Sequence, residues 1–562
     1  MTLRGAHLAL RCLKLEGVRR LFTIVGDTIL PLCDAAVDEG LELVDTRHEA
    51  AALHMADAWT RVTGEPAVAL VTGGPGFANA VSALPPIHAS ESPVMLLAGC
   101  GELAERGMYG FQEIDQVGLA APATKGSWMA LDRRRIPDMV AAAFRTALDG
   151  RRGPVHLTIP IDIQEEPITD ADLPKYSPRE YRHAGRAQGD PALIGEAVAV
   201  LRGAERPVVI VANAARPSVP PRSLREFIEA TSLPCFTIEQ ARGLLSDDHP
   251  LCFGYADPAL NETARHFREA DAVLLLGKRL DHRYRYGMPP FFHPAAKLIQ
   301  VDPSPAEIGR NRGVHVGIAG DLGAVVEQMT AAAAGGARWN GTAAWRRQLA
   351  MTRDTQRRRF EALGTDEAPL HAMRVLRDVD AVTNDDTVVV VDGGDFAGWG
   401  RSYLKARNPG GWLRLGPLGQ LGCGIPYAIA AKLARPEADV LLLIGDGSFG
   451  FYGIEYDTAV RHGAAFTAVM GHDALWGIDR NFQLAYYGRA IGTELRPARY
   501  DKMVEALGGY GEHVEEAAGI APAIRRARES GKAALVSVAI RNTPCPLAGA
   551  MMARKGARPS GN

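Results

Sequence analysis

Residues 440–449 read VLLLIGDGSF, and this stretch decides the fold. The apolar residues Val440–Ile444 form the unbroken hydrophobic run of a β-strand that helices cover on both faces of a parallel sheet. The glycines that follow allow backbone N–H groups to approach a phosphate closely, and Ser448 adds a hydroxyl donor. Asp446 offers the carboxylate oxygen that Mg²⁺ prefers beside phosphate oxygens. The stretch therefore predicts a phosphate- and magnesium-binding loop at the carboxyl end of a parallel strand.

A second carboxylate follows the next strand along the chain. Asp473 lies 27 residues after Asp446 and follows the apolar run Phe466–Met470. A strand–helix–strand crossover places the loops after both strands side by side, so the two carboxylates can share one cation. The alternative is a pair of unrelated carboxylates in turns, but the strand context and the spacing favour a shared site.

Apolar strand runs alternate with helical patterns along the whole chain, which is typical of α/β domains with mostly parallel sheets. We predict three such domains, at residues 1–170, 190–335 and 365–545, followed by a C-terminal tail at 546–562. The strand runs are Leu21–Val25, Glu42–Asp45, Ala67–Thr72, Pro93–Ala98 and Pro154–Ile159 in the first domain, Pro207–Ala212, Cys235–Ile238, Ala272–Leu276 and Lys297–Val301 in the second, and Thr387–Val391, Asp439–Ile444, Phe466–Met470 and Ala534–Ala539 in the third.

Composition excludes several classes of protein. The 562 residues carry 63 Lys and Arg against 65 Asp and Glu, so no overall basic field indicates nucleic acid or an acidic membrane surface as a partner. The sequence contains no run of about 20 apolar residues, which a membrane-spanning helix would need. The seven cysteines lack CxxC spacing, which argues against a zinc site or a disulfide framework and fits a reducing compartment. The basic residues before Leu21 are interpreted as a surface helix rather than a presequence, so we expect a cytoplasmic protein.

Two further stretches have ordinary explanations when each is taken alone. Residues 47–59 read RHEAAALHMADAW and place Glu49 in the first turn of a helix, where the helix dipole favours an acid. Residues 416–426 read GPLGQLGCGIP, which is typical of a tight turn between a strand and a helix.

Together these stretches resemble the thiamine-diphosphate enzymes related to acetolactate synthase. The resemblance runs through 440–449, through Arg47–Glu49 and through Gly74–Gly76 with Asn79, and it covers nearly the whole chain. It implies that Asp446, Asp473 and the backbone carbonyl of Leu475 hold Mg²⁺. Thiamine diphosphate would also contact Gly445, Gly447, Ser448, Trp476 and Gly477. This chain has His472-Asp473 where the family has Asn-Asn, which adds a negative charge beside the diphosphate.

The resemblance also assigns residues to the rest of the cofactor. Glu49 would bond the aminopyrimidine ring and so promote loss of the thiazolium proton. The carbonyl of Gly419 would accept a hydrogen bond from the pyrimidine amino group, and Leu421 would hold the cofactor in a bent shape. Because different subunits hold the two ends of the cofactor in this family, the resemblance implies a dimer or tetramer with its active site between subunits. A loop that could touch the diphosphate, or could be a plain turn, contains Gly394, Asp395 and Phe396.

Substrate residues are less marked in the sequence. Residues 499–511 resemble 2-hydroxyacyl-CoA lyases and oxalyl-CoA decarboxylase more than acetolactate synthases. Phe111, Gln112 and Glu113 match a pattern near the substrate, where Gln112 could bond a substrate oxygen, although a surface turn is the alternative. Glu494 could cover the substrate or be an ordinary surface residue. The CoA relatives bind the ADP part of CoA, or an ADP activator, in the central domain, and the candidate phosphate ligands there are Lys278, Arg279, Arg283 and Arg285, unless they form a solvated basic loop.

We therefore predict a thiamine-diphosphate-dependent lyase that cleaves the C1–C2 bond of a 2-hydroxyacyl-CoA into formyl-CoA and an aldehyde or ketone. Glu49, Gln112 and Glu494 are its candidate catalytic residues. The alternatives are an acetolactate synthase-like or 2-oxoacid decarboxylase activity, and a non-catalytic regulatory subunit that binds a nucleotide or CoA.

Overall fold

The computed structural model describes residues 3–183, 185–335, 339 and 342–556. These residues form two compact units. The first contains the described residues up to 185 together with 415–436 and 452–464, and the second contains the other described residues. Within the described ranges, no helix is both long and apolar enough to cross a membrane. The cytoplasmic location stays a prediction.

Each of the three sheets has six strands in the described part of the chain, and all of the strand pairs are parallel. The first sheet, in the first unit, has the order β2-β1-β3-β4-β6-β5. Its strands are β1 (Arg20–Ile24), β2 (Glu42–Asp45), β3 (Ala67–Val71), β4 (Val94–Cys100), β5 (Ser127–Met129) and β6 (Val155–Pro160).

Both remaining sheets belong to the second unit. The central sheet has the order β12-β11-β10-β7-β8-β9, and the third has the order β14-β13-β15-β16-β18-β17. The central strands are β7 (Pro207–Val211), β8 (Cys235–Thr237), β9 (Cys252–Tyr255), β10 (Ala272–Leu276), β11 (Lys297–Asp302) and β12 (Val316–Ala319). The strands of the third sheet are β13 (Val388–Asp392), β14 (Trp412–Arg414), β15 (Val440–Gly445), β16 (Thr467–His472), β17 (Tyr510–Val514) and β18 (Ala534–Ala539).

Helices connect the strands. They are α1 (Gly5–Leu15), α2 (Leu30–Glu39), α3 (Glu49–Thr63), α4 (Pro75–Val81), α5 (Leu84–Ser90), α6 (Gln116–Ala120), α7 (Ile136–Leu148), α8 (Ile161–Glu165), α9 (Pro178–Tyr181), α10 (Pro191–Gly203), α11 (Pro221–Thr231), α12 (Leu322–Ala334), α13 (Ala343–Leu363), α14 (Ala372–Val382), α15 (Asp395–Tyr403), α16 (Gly424–Ala434), α17 (Asp446–Tyr452), α18 (Tyr456–Arg461), α19 (Gly477–Tyr487), α20 (Tyr500–Ala506), α21 (Ala517–Glu529) and α22 (Pro546–Gly556).

The predicted fold class, three α/β domains with mostly parallel sheets, is confirmed. Every predicted strand run corresponds to a strand, and the strands that the runs omit are β5, β9, β12, β14 and β17. All five lie at sheet edges. An edge strand pairs on one side only and is short or partly exposed, so it lacks the continuous apolar run that marks a central strand. Each sheet lies within one predicted domain range, and the ranges themselves stay predictions. The predicted tail 546–562 begins as α22, and 557–562 lie outside the described residues.

Helix α3 forms much of the core of the first unit. Most of its residues are buried, because it packs on the first sheet and along α16. Three polar side chains join the two helices inside this core. Arg61 donates from Nε to Asp57 at 2.8 Å, and the Tyr427 hydroxyl donates to the same carboxylate. A buried charge pair with this many hydrogen bonds has few alternative arrangements, which fixes the position of α3.

Candidate active site

One candidate site is the start of α3 in the first unit. After β2, the Nδ1 atom of His48 accepts a hydrogen bond from the Ala50 N–H at 3.1 Å and caps the helix. Glu49 is therefore the first helical residue and is only partly buried. The Asn79 side chain donates to Glu49 Oε2 at 3.0 Å. A Cβ atom on Gly76 would come within 3.2 Å of Glu49 Oε1, so the glycine at this position allows the close approach of α4.

A buried carboxylate supports this helix start. The backbone N–H of Arg47 donates to both carboxylate oxygens of Glu455, at 3.1 and 3.2 Å, and the Thr458 hydroxyl donates at 2.6 Å. The Glu455 side chain is fully buried, and burial raises its pKa to about 7 in spite of these donors. Glu455 thus fixes the backbone two residues before Glu49.

Residues 107–113 form a loop beside the same glycines. A Cβ atom on Gly74 would lie 2.5 Å from Gln112 Cβ, so Gln112 packs directly on the Gly74–Gly76 turn that also borders Glu49. The Oε1 atom of Gln112 is buried without a hydrogen-bond partner. Glu113 accepts hydrogen bonds from the N–H groups of Gly107 and Gly110, which hold its pKa below the ordinary value. Phe111 is 81% exposed. Gln112 and Glu49 thus border the same Gly74–Gly76 turn, whereas Glu113 stabilises its own loop.

The loop before α16 also belongs to the first unit. It contains Gly419, which has a φ of +86° that glycine adopts readily, and the partly buried Leu421. The structure thus places both residues in the unit that contains Glu49.

Another candidate site lies within the second unit, at the carboxyl ends of β15 and β16. These strands pair in register, with Gly445 opposite Gly471, so the loops that follow them are neighbours. Asp446 is 2% exposed, and its Oδ2 atom has no hydrogen-bond partner. Asp473 accepts hydrogen bonds from the Asn542 side chain at 2.9 Å and from the Leu475 N–H at 3.2 Å.

The electrostatics of this pair favour a cation. Burial, and then the neighbouring charge of Asp473, raise the pKa of Asp446 to about 7, and burial also raises the pKa of Asp473. A buried and a half-buried carboxylate with an unpartnered oxygen fit a divalent metal, which would remove their repulsion. The described residues contain no cluster of three or more His, Cys, Asp or Glu side chains arranged as a metal cage. Two carboxylates with a backbone oxygen and phosphate oxygens are the set that Mg²⁺ uses.

The glycines of this loop leave room for a phosphate. A Cβ atom on Gly445 would meet nothing within 4 Å, so its backbone faces open space. A Cβ atom on Gly447 would instead lie 2.7 Å from the Trp476 ring. At Gly477, a Cβ atom would come within 3.0 Å of Asp473 Oδ2. Gly447 and Gly477 are therefore required by packing, and Gly445 leaves the space that a diphosphate can occupy.

His472, which departs from the family pattern, lies at the end of β16. Its Nε2 atom is 3.8 Å from Asp446 Oδ2, and its Nδ1 atom is 3.2 Å from the hydroxyl of Ser537. The ring is buried, and burial lowers its pKa. A neutral imidazole therefore stands beside the candidate metal ligands.

The loop after β13 packs against the glycine loop. A Cβ atom on Gly393 would lie 3.5 Å from the Ser448 hydroxyl, whereas Gly394 borders Ile478. Both oxygens of Asp395 are already used, because Asn481 and the Cys545 N–H donate to them at 2.8 Å. Phe396 is buried against Gly471. The geometry thus gives Asp395 and Phe396 packing roles, and contact of Gly394 with the diphosphate stays a prediction.

Glu494 lies opposite the candidate metal loop. Its backbone forms an antiparallel bridge with Leu475, and the Trp476 N–H donates to the Thr493 carbonyl at 2.8 Å. The Glu494 side chain itself is exposed. The structure therefore brings Glu494 to this loop, and its role in covering a substrate stays a prediction.

Comparison with known families identifies three matching segments of the chain. Three family models match, described as the thiamine pyrophosphate enzyme N-terminal TPP binding domain at residues 3–119, central domain at 194–329 and C-terminal TPP binding domain at 392–538. The chain belongs to the thiamine pyrophosphate enzyme family. The first and third matches contain Glu49 and Asp446, respectively.

Relatives of this thiamine pyrophosphate enzyme include proteins named acetolactate synthase and proteins named 2-hydroxyacyl-CoA lyase 2. A probable acetolactate synthase of Mycobacterium bovis is 35% identical over 96% of both chains. The 2-hydroxyacyl-CoA lyase 2 of Bos taurus is 33% identical over 91% of this chain and 85% of its own. The lyase of the same name from Homo sapiens is 32% identical over 89% of this chain and 83% of its own. The chain is thus an enzyme of the acetolactate synthase family.

In the central domain of this thiamine pyrophosphate enzyme, two of the four predicted phosphate ligands are engaged elsewhere. Lys278 is buried and pairs with Asp281 at 2.5 Å. Arg283 pairs with Glu239, and burial lowers its pKa. Arg279, which pairs with Glu307 at 3.3 Å, and Arg285 remain accessible. A phosphate contact by Lys278 or Arg283 would require their internal ion pairs to open.

Sequence reasoning missed several residues that support the site. Glu455, Asn542 and Gln116 are the clearest, and the Gln116 side chain accepts from the Gly74 N–H at 3.3 Å and donates to Thr158 at 2.8 Å. Asn542 lies 69 residues after the carboxylate that it binds, so no local spacing marks it. Gln116 alone had a nearby signal, because it closely follows Phe111–Glu113.

Proposed function

We propose that this thiamine pyrophosphate enzyme is a 2-hydroxyacyl-CoA lyase, which cleaves the C1–C2 bond of a 2-hydroxyacyl-CoA into formyl-CoA and an aldehyde or ketone. The observation that carries the proposal is a cleft of about 390 Å³ in the first unit, next to Gln112. The residues that line it are Cys100, Gly101, Glu102, Leu103, Glu105, Arg106, Gly107, Tyr109, Gly110, Phe111, Glu113, Ile114, Asp115, Met129 and Pro160.

The chemistry of this cleft disfavours a small 2-oxoacid. Its apolar side chains suit a hydrocarbon chain, and its charged groups are four acids with a single arginine. A 2-oxoacid has a carboxylate beside its reacting carbonyl, which these acids repel. The carbonyl of a thioester carries no such charge. The unpartnered oxygen of Gln112 is suited to accept a hydrogen bond from the 2-hydroxyl group of a hydroxyacyl chain.

The cofactor residues fit the proposal. When bound, thiamine diphosphate supplies a nucleophilic carbon and an electron sink for breaking a bond beside a carbonyl group. Asp446, Asp473 and the Leu475 carbonyl would hold Mg²⁺. Asn79 occupies one oxygen of Glu49, which leaves the other oxygen to hold a proton against the pyrimidine ring. Glu494 would exclude water above the same loop.

We also propose that the enzyme acts as a dimer or tetramer with its active site between subunits. Tyr109 is 99% exposed, Phe111 81% and Met108 73%, and a second copy of the chain would remove this apolar surface from water. Arg279 and Arg285 are the proposed contacts for the phosphates of CoA or ADP.

An acetolactate synthase-like or 2-oxoacid decarboxylase activity is the second candidate, because the Mycobacterium bovis relative is as similar as the lyases. The third alternative, a non-catalytic regulatory subunit, has less support, since the chain belongs to an enzyme family and Glu49 keeps its Asn79 partner.

The test is to measure formyl-CoA release from linear and branched 2-hydroxyacyl-CoAs, and acetolactate release from pyruvate, with and without thiamine diphosphate and Mg²⁺. We expect cofactor-dependent formyl-CoA that the Glu49→Gln variant does not release. Phe111→Ala should alter the preference for chain length without changing cofactor affinity. Acetolactate from pyruvate with no formyl-CoA from any thioester would replace the proposed reaction by the second candidate.

A further inference from the structure

A second cleft, of about 330 Å³, lies within the second unit and contains none of the proposed catalytic or cofactor residues. Strand β9, helix α13 and the end of α15 form its walls. We call it the arginine cleft. The residues that line it are Arg242, Asp247, Asp248, Cys252, Phe253, Gly254, Tyr255, Asn261, Arg353, Asp354, Gln356, Arg357, Phe360, Arg401, Ser402, Tyr403, Leu404 and Lys405.

Most of the cations in this cleft have strong partners. Arg242 is bound by both oxygens of Asp247, at 2.8 and 2.5 Å. Arg357 donates to Asp380 at 2.7 Å and to Glu361 at 2.9 Å. These pairs hold the walls in place and need no ligand.

Arg401 differs from them. It is 91% buried, since its exposed fraction is 9%, yet its Nε atom has no hydrogen-bond partner. Its guanidinium group lies over the Tyr255 ring, with its Cζ atom 5.2 Å from the ring centroid. Its polar contacts are a long one of 3.4 Å with the Tyr255 hydroxyl and a distant ion pair of 3.9 Å with Asp257. A buried guanidinium group with such weak partners is costly unless an anion completes its hydrogen bonds.

The surroundings of Arg401 add positive potential. Arg283 and Arg414 are also buried, and both pair with the single carboxylate of Glu239. Burial, and then the charge of Arg401, lower the pKa of Arg414 to about 10. Three buried guanidinium groups, those of Arg283, Arg401 and Arg414, thus face the carboxylates of Glu239 and Asp257. The remaining excess of positive charge attracts an anion.

Two accessible cations stand at the rim of the cleft. The Arg353 side chain is 41% exposed, pairs with Asp354 at 3.0 Å and lies over the Phe253 ring. Lys405 is 34% exposed and pairs with Asp248 at 2.5 Å. An anion that enters the cleft would pass these groups before reaching Arg401. Three cations attract a phosphate group, which carries two negative charges, more strongly than a carboxylate group, which carries one.

We propose that the arginine cleft is a binding site for the phosphate group of a small metabolite, with Arg401 as its buried ligand and Arg353 and Lys405 at its entrance. The planar fork of Arg401 suits two phosphate oxygens. Because the walls come from three separate segments, a bound phosphate would join them and stabilise the second unit.

The test uses the full chain saturated with thiamine diphosphate and Mg²⁺, so that the proposed cofactor loop is already filled. Inorganic phosphate is titrated by calorimetry, and the melting temperature is followed in parallel, with acetate at equal ionic strength as the carboxylate arm. We expect phosphate to bind and to raise the melting temperature, and acetate to have little effect. Arg401→Gln should weaken phosphate binding about tenfold or more, because a charged hydrogen bond is lost. Arg401→Lys, which keeps the charge but not the fork, should give an intermediate affinity.

Arg358→Gln is the matched control. Arg358 lies on the same helix, α13, but is exposed and does not line the cleft, so its loss should leave phosphate affinity unchanged. If Arg401→Gln fails to fold, Arg353→Gln at the rim must weaken phosphate binding instead. Equal phosphate affinity in the folded Arg401 and Arg353 variants and in the wild type would overturn the proposal, as would tighter binding of acetate than of phosphate. The proposal does not depend on which reaction the enzyme catalyses.

Discussion

The backbone N–H of Arg47 is shared between the two carboxylate oxygens of Glu455, which lies 408 residues later in the chain. The segment that contains Glu455, which follows the predicted metal loop in sequence, therefore binds the start of the helix that carries Glu49. Since the Glu455 carboxylate is buried and its pKa is raised to about 7, this contact has a pH dependence of its own.

Glu455→Gln should change how stability depends on pH. A carboxyl group with a raised pKa in the folded state holds a proton there that the unfolded chain has already lost, so stability falls as pH rises from about 4.5 to about 7. A shift of this size corresponds to about 3 kcal/mol. We expect the wild type to lose stability relative to the variant between about pH 4.5 and about pH 7, measured as denaturation midpoints. Parallel pH profiles for the two proteins would show that Glu455 does not titrate in this way.

Glu49→Gln should reduce activity by at least about 10²-fold, because the amide no longer supplies an acidic proton to the pyrimidine ring. Its melting temperature should stay close to that of the wild type, since Glu49 is only partly buried at the helix start. Asn79→Ala removes one hydrogen bond from the same carboxylate and should have a smaller effect. A larger loss for Asn79→Ala than for Glu49→Gln would contradict the assigned roles.

Asp446→Asn should have opposite effects with and without metal. Without Mg²⁺ it removes a buried charge that Asp473 repels, so the melting temperature should rise by a few degrees. With Mg²⁺ the wild type should gain stability that the variant lacks. Asp473→Asn, which introduces the residue usual in the family, is the matched variant and should retain Mg²⁺ binding. Equal stabilisation of wild type and Asp446→Asn by Mg²⁺ would exclude Asp446 as a ligand.

Gly445→Ala and Gly447→Ala should separate cofactor binding from packing. The methyl group on Gly447 would lie 2.7 Å from the Trp476 ring, and overpacking of this kind costs about 1–3 kcal/mol. The methyl group on Gly445 would meet nothing within 4 Å, so stability without cofactor should be unchanged while affinity for thiamine diphosphate falls. Calorimetric titration and thermal melting of both variants test this, and unchanged affinity in Gly445→Ala would place the diphosphate elsewhere.

The sequence predicts those parts of the fold and site that depend on neighbouring residues. The run Val440–Ile444 is fully buried, and its unbroken apolar sequence predicts a strand. Trp412–Arg414 has only three residues at a sheet edge, and its sequence does not predict one. The sequence predicts that the loops of Asp446 and Asp473 are neighbours, because one crossover connects their strands. Glu455 and Arg401 could not be assigned, since their settings depend on segments distant in the chain.

The grouping of residues 415–436 and 452–464 with the first unit bears on how this enzyme can be dissected. A fragment ending at residue 185 would lack α16, leaving the buried face of α3 and the Asp57 carboxylate without their cover. Such a fragment is expected to aggregate rather than fold. To exchange the amino-terminal region between relatives, residues 415–436 and 452–464 would therefore have to be exchanged together with it.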